Sequence, residues 1–303
     1  MARSVVSLVR TSDRRHGVQT LFRLLNPFVK RAQRVVVAPD FGAATPSPGS
    51  THNDVLYQVV MEIRQRGAGD ITVAGQARRG ATSDVLAKKG VYALADELGV
   101  VLVNLDEAPQ EAFRHFTVDS SHWRAGFHLA KVAVESDFLV SVGGLKTDGR
   151  GAGLALSLWA MTGLLSRHGR GDADELRTAP HQSEMIAEIN VACRPSLILL
   201  DGVQAIIDGG PDEGVTKRGD VMIAGTDPVA VDAVGVTLLE LLGPSERRRS
   251  RPVFEQDQLR RAVELGLGAR GADDIELRTD GGGESGRLAA QVERMLALGK
   301  KSV

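Results

Sequence analysis

The chain has 303 residues, 43% of them hydrophobic, with 37 Lys plus Arg against 38 Asp plus Glu and a single cysteine, Cys193. This is enough apolar content to bury a core in one large or two ordinary domains, while near-neutral charge and 4% aromatic residues argue against nucleic acid, which needs a basic footprint and stacking surface. One thiol forms no internal disulfide and holds no four-cysteine iron–sulfur cluster, and no apolar run approaches the roughly 20 residues of a membrane span, so the expected setting is the cytoplasm.

Strand and helix signals alternate from the start. Residues 5–9 read as a strand, and Val18, Leu21, Phe22 and Leu25 have the spacing of an amphipathic helix. Residues 1–39 are arginine-rich with Asp13 as their one acid, as in a transit peptide, but a first core strand fits residues 5–9 better. A buried strand at 34–39 opens into a Gly/Pro/Ser loop, 40–50. The loop closes on Thr51-His-Asn-Asp54, with Thr51 expected to cap a helix that runs to about residue 66. A strand at 70–74, a helix over 82–98 and a strand at 100–104 continue the alternation, which favours parallel pairing with right-handed crossovers.

Residues 106–124 have no period and read as a loop; Leu129, Val132 and Ala133 read as a short helix. A strand at 138–142 then ends in Gly143-Gly144, presents Lys146 and Asp148, passes through a glycine-rich turn at 149–153, and enters a helix expected over 153–165. Strands follow at 195–201 and 203–207, then one at 221–224 that delivers Asp227 as N-cap and Pro228 as first residue of a helix to about 242. Arg247, Arg248, Arg249 and Arg251 read as a solvated basic loop, and the tail as a helix at 255–265, a strand at 275–279 and a helix at 287–298.

A strand end that feeds glycines and a helix N-terminus is where open α/β folds place ligands, because free amides face the crevice. Lys146 is there either to hold an anionic group or to pair with Asp148 on the surface; Asp201 either faces a ligand or caps the next turn. Other patterns are weaker. The run 281–286 fits G-x-G-x-x-G but lacks room for the following strand and acid, and the phosphate-loop and G-x-S-x-G patterns are missing. A metal site could be drawn from His52, His181 and the aspartates, but no two histidines share helical i, i+4 spacing, so none is expected.

These blocks in this order resemble the DUF362 family of uncharacterised α/β proteins. The resemblance rests on residues 35–51, Glu135-Ser-Asp-Phe-Leu-Val-Ser-Val-Gly-Gly-Leu-Lys-Thr147, His181, the run 195–211 with Asp201-Gly202, and Ala224-Gly-Thr-Asp-Pro-Val-Ala-Val-Asp232. Where the family carries Lys-Pro-Asn, Lys-Thr-His and Leu-Lys-Asn, this chain has Ala38-Pro39-Asp40, Lys146-Thr147-Asp148 and Leu158-Trp159-Ala160. The departures remove two cations and a histidine and add Trp159 as an aromatic wall, which implies a flatter, less charged ligand. A looser likeness in architecture is to the lactate racemase group.

The expected fold is therefore α/β, with mostly parallel sheets flanked by helices in two lobes, residues 1–125 and 126–303, or one intertwined unit, around a cleft. The expected function is an enzyme on a small carbonyl- or carboxylate-bearing metabolite, aromatic ones included, with isomerase- or lyase-like chemistry. Lys146 anchors or polarises the substrate, His181 is acid or base, and Asp148 or Asp201 orients them; Trp159, Gly143, Gly144, Asp201, His52 and Asp40 line the site. The alternatives are an oxidoreductase with a borrowed diffusible cofactor and a non-catalytic binding protein. The expected partner is a small-molecule substrate, without nucleic acid or membrane; the cofactor and a homodimer are left open.

Overall fold

The central strands are near-continuous apolar runs, such as Val35–Pro39 and 138–142, with apolar residues on both faces, so helices must cover the sheet on both sides. The computed structural model describes residues 3–29, 34–149, 151, 153–168, 171–243 and 251–298. Its strands are β1 (Ser4–Arg10), β2 (Val35–Pro39), β3 (Ile71–Gly75), β4 (Val101–Asn104), β5 (Phe113–Phe116), β6 (Phe127–Ala130), β7 (Phe138–Asp148), β8 (Gly153–Leu154), β9 (Leu197–Gly209), β10 (Gly214–Gly225) and β11 (Ile275–Thr279). The main sheet has the order β11-β1-β10-β9-β7-β2-β3-β4, with β8 added on β7 and β5–β6 as a separate hairpin. Along that order pairing is parallel except β1 with β10 and β10 with β9; β8 pairs antiparallel with β7, and β5 antiparallel with β6. The fold is α/β. Strands from both sides of residue 125 join in this one sheet, since β7 lies between β9 and β2.

On one face Val35, Val37, Val73, Val140, Val142, Leu199 and Met222 pack against α1 (Arg14–Leu25), α2 (Asn53–Gln65), α3 (Thr82–Lys88) and α4 (Val91–Leu98). On the other, the alternate residues Val36, Ala38 and Leu139 meet α5 (Lys131–Val134), α6 (Ser157–Ala160), α7 (Asp172–Thr178) and α8 (Gln182–Ala192). Farther along that face Leu8, Ile198, Leu200 and Ile223 meet α9 (Pro228–Leu242), α10 (Asp257–Glu264) and α11 (Glu284–Leu298). The central helix α9 is buried almost throughout, as its continuous apolar sequence requires. Asp227 caps it with Pro228 in its first turn, as the sequence indicates, and the Asp227 side chain accepts from Ala230 N.

Several boundaries differ from the sequence reading. The helix over 82–98 divides because Gly90 sits at φ +67°, a left-handed conformation that an α-helix does not accommodate. His52, not Thr51, caps α2 with Nδ1, because the Thr51 hydroxyl is taken by Asp40 N and Val142 O across the β2–β7 edge. The aperiodic 106–124 stretch contains β5, and β6 precedes the short helix expected near Leu129. The two strands expected at 195–207 are one, bent where the register with β7 shifts between Gly144 and Lys146. The helix expected from residue 153 begins at Ser157, after β8 has paired Gly153 with Asp148. Arg247, Arg248 and Arg249, and Arg150 and Ala152 of the glycine-rich turn, lie outside the described residues.

Candidate functional site

The parallel strands β2, β3 and β7 end at the same edge of the sheet, so the residues just beyond their carboxyl ends converge. Strand β7 does not stop at its double glycine: it runs 11 buried residues to Asp148, past the end of β2, where Pro39 pairs with Val142. Gly143 serves close packing, whereas Gly144 sits at ordinary contact distances. A Cβ at Gly143 would stand 3.1 Å from Leu200 Cδ2, and one at Gly144 3.4 Å from Pro48 O and 3.5 Å from Asp201 O. Past them, Lys146 is carried under the 40–50 loop.

There the Lys146 ammonium donates to the Asp40 carboxylate and, at 3.2 Å, to Gly49 O. The other Asp40 oxygen accepts from the Arg78 guanidinium and, at 3.0 Å, from Gly42 N. Arg78 also donates to Asp212 Oδ1 at 2.6 Å, and Arg79 Nε lies 3.5 Å from Asp212 Oδ2. Trp159 completes the cluster: Arg78 Cζ lies 4.1 Å and Lys146 Nζ 5.4 Å from the centroid of its ring. The charges alternate along the chain of contacts, Lys146–Asp40–Arg78–Asp212. Burial pushes the Asp40 carboxyl up, but Arg78 and Lys146 outweigh it and hold it well below the usual carboxylate range. Burial pulls the Lys146 ammonium down, a pull that Asp40 opposes and Arg78 reinforces. Arg78 also pays for burial, yet Asp40 and Asp212 leave it firmly protonated.

A cavity of about 440 Å³ adjoins this cluster. Arg78, Arg79, Asp148, Trp159, Arg167 and Arg177 are among its lining residues, with Gln76, Gln182, Ile186 and Pro211. Four arginines and two acids, Asp148 and Asp174, line the wall, with Asp40, Asp106 and Asp212 paired to the arginines. Lys146 is 1% exposed and stands behind this wall rather than in it. Trp159 is held from beneath. Its short helix α6 is capped by Asp232 of α9, whose carboxylate accepts Ser157 N at 2.7 Å and Leu158 N at 3.1 Å; burial pushes that carboxyl up to about 7.

The residues singled out in the sequence therefore fall into three groups. Lys146, Asp40, Trp159 and Asp148 gather at the cavity or directly behind it. Asp201 lies within β9, not at its end, and is engaged by Arg14 Nε at 2.6 Å and Val203 N at 2.9 Å. His52 belongs with that pair: its imidazole is lowered by partial burial and then by Arg14. His181 lines a different cavity, of about 550 Å³, together with His122, Arg124, Thr178 and Met185; Asp174 and Arg177 of α7 line both cavities. Arg78 and Asp212 escaped the sequence reading. Their signal was position: Arg78 follows the end of β3, as Asp40 follows β2, and Asp212 follows the β9 turn. No group of three or more His, Cys, Asp or Glu among the described residues is arranged to hold a metal ion.

No helix among the described residues is long and apolar enough to cross a membrane. The thylakoid-associated protein sll1697 of Synechocystis sp. (strain ATCC 27184 / PCC 6803 / Kazusa) is 25% identical over 254 residues, which cover 78% of this chain and 74% of that protein. Among solved structures, the lactate racemase apoprotein from Thermoanaerobacterium thermosaccharolyticum is similar over 66% of this chain, with a TM-score of 0.42 and 16% identity, and the chain spans only 50% of its length. The sequence model of a family described as "Domain of unknown function (DUF362)" matches residues 35–237, a span that includes Asp40, Arg78, Lys146, Trp159, Asp212 and Asp232. The chain belongs to the DUF362 family.

Proposed function

We propose that the protein is an enzyme that binds a small, ring-bearing carboxylate in the Arg78–Trp159 cavity and moves a proton on the carbon next to its carbonyl or carboxyl group. The observation that carries this reading is Arg78. It closes on two buried carboxylates, stacks on Trp159 and still lines the cavity, so it presents a fixed, permanently charged donor beside a flat apolar wall. Arg79, Arg167 and Arg177 add positive charge around it. Asp148 is the buried carboxylate of the same wall and is the base in this scheme: it takes the proton, and the enolate charge that forms faces the arginines. Lys146 does not touch the cavity. It is a positioning residue that fixes Asp40 and, through it, Arg78.

The test is solvent exchange. The protein is incubated in D2O with phenylpyruvate and with mandelate, and loss of the proton next to the carbonyl or carboxyl carbon is followed by NMR. The expected result is exchange of at least one of them above the buffer rate, lost in Asp148→Asn and in Arg78→Met. Saturable binding without exchange, abolished by Arg78→Met, identifies a non-catalytic binding protein, the reading that the occlusion of Lys146 favours. If the protein neither binds these acids nor exchanges their protons, the proposal is overturned.

A further inference from the structure

The second cavity has a construction of its own. Glu188, on α8, is fully buried, yet its carboxylate is saturated with donors. One oxygen accepts His122 Nδ1 at 2.7 Å and Arg261 Nε and Nη2 at 3.1 and 2.9 Å; the other accepts Ser121 Oγ at 2.9 Å and His122 N at 3.0 Å. The loop that brings His122 there is held in an uncommon conformation: Ser120 has φ +53°, left-handed for a residue with a side chain, and its carbonyl is tied to Arg261 at 2.9 Å. An ionised carboxylate only accepts, so His122 carries a proton on Nδ1, and in the neutral tautomer the lone pair then falls on Nε2 of a ring that lines the cavity. The ring of His181 packs on it, with centroids 4.9 Å apart and planes at 39°.

The cavity wall also carries Arg124 and Arg177, the acids Asp174 and Glu175, the hydroxyl of Thr178 and an apolar strip of Ala179, Pro180 and Met185. Arg177 is paired with Asp174 at 2.9 Å, and Glu175 accepts Arg124 N at 2.9 Å, so both acids are engaged. A base, the Arg124 guanidinium and an apolar strip suit a flat weak acid whose anion is stabilised on binding.

We propose that this cavity is a separate acid–base site, in which His122, oriented by Glu188, exchanges a proton with a small phenol- or enol-type ligand, and that His181 serves this site rather than Lys146. In the step, the O–H bond of the ligand breaks, an Nε2–H bond forms and the electron pair stays on oxygen. The imidazolium faces Glu188, and the new anion faces Arg124.

Two measurements on the full chain test this. Long-range proton–nitrogen NMR of histidine-labelled protein is expected to show neutral His122 protonated on Nδ1; the Nε2-protonated form overturns the proposal without any mutation. The second probe is 4-nitrophenol, whose anion absorbs separately from the neutral form, mixed with excess protein below the phenol's own pKa. The wild type is expected to raise the phenolate fraction about threefold over His122→Gln, the effect of roughly half a pKa unit. Binding in the Trp159 cavity is common to both proteins and cancels. Equal phenolate fractions, including no change over buffer, overturn the proposal.

Discussion

Asp232 ties stability to pH in a direction opposite to that of most carboxylates. Its two hydrogen bonds to Ser157 N and Leu158 N favour the charged form, but complete burial outweighs them and raises the group from 3.8 to about 7. Between these two values the folded chain keeps a proton that the unfolded chain has released, so stability falls as pH rises. It is complete below the unfolded value and lost as pH passes through the folded one. A displacement of about three pKa units at roughly 1.4 kcal/mol each amounts to about 4 kcal/mol. The Asp232→Asn side chain does not titrate and still offers one acceptor oxygen. The stability of the wild type relative to this variant should therefore drop by about 4 kcal/mol between about pH 4 and pH 8. Urea unfolding at a series of pH values, followed by tryptophan fluorescence, measures that difference directly. A difference that stays flat, or that grows with pH, refutes the reasoning.

Other perturbations read other parts of the site. Lys146→Met leaves Asp40 buried with one cation fewer and should cost about 3–5 kcal/mol in urea unfolding, with part of the loss restored in the double variant Lys146→Met/Asp40→Asn, where no lone charge remains. Trp159→Leu removes the face on which Arg78 stacks and should weaken phenylpyruvate binding by about 1–2 kcal/mol in calorimetry, with little change for an aliphatic carboxylate. Gly210→Ala should destabilise the fold by more than about 2 kcal/mol, because φ is +88° and the added Cβ would lie 2.1 Å from Thr147 O. Gly90→Ala, at φ +67° with open space around it, should cost only about 1 kcal/mol in the same assay.

Most strands of the main sheet, the order of the longer helices and the cap at Asp227 were legible because each depends on neighbours in sequence: an apolar run or period, or a side chain that reaches an amide three residues on. The site was legible in its members more than in its connections. Asp40 and Lys146 stood out separately, but their pairing depends on β7 running beside β2, which no local pattern states. Arg78 lies in Gln76-Ala-Arg-Arg-Gly80, a segment without a motif, and only the shared direction of β2, β3 and β7 brings it to Asp40. His181 was joined to Lys146 through the family resemblance and an expected acid–base role, whereas its ring partner, His122, comes from an aperiodic loop. The double glycine signalled a strand end and proved to be a place where a strand continues through a tight gap.

Helix α7 is only seven residues long, yet Asp174 and Arg177 on it face both cavities. It is a party wall. Any ligand that moves it in one chamber alters the shape of the other, and thermodynamic linkage makes the effect mutual: the factor by which a first occupant changes the affinity for a second equals the factor by which the second changes the affinity for the first.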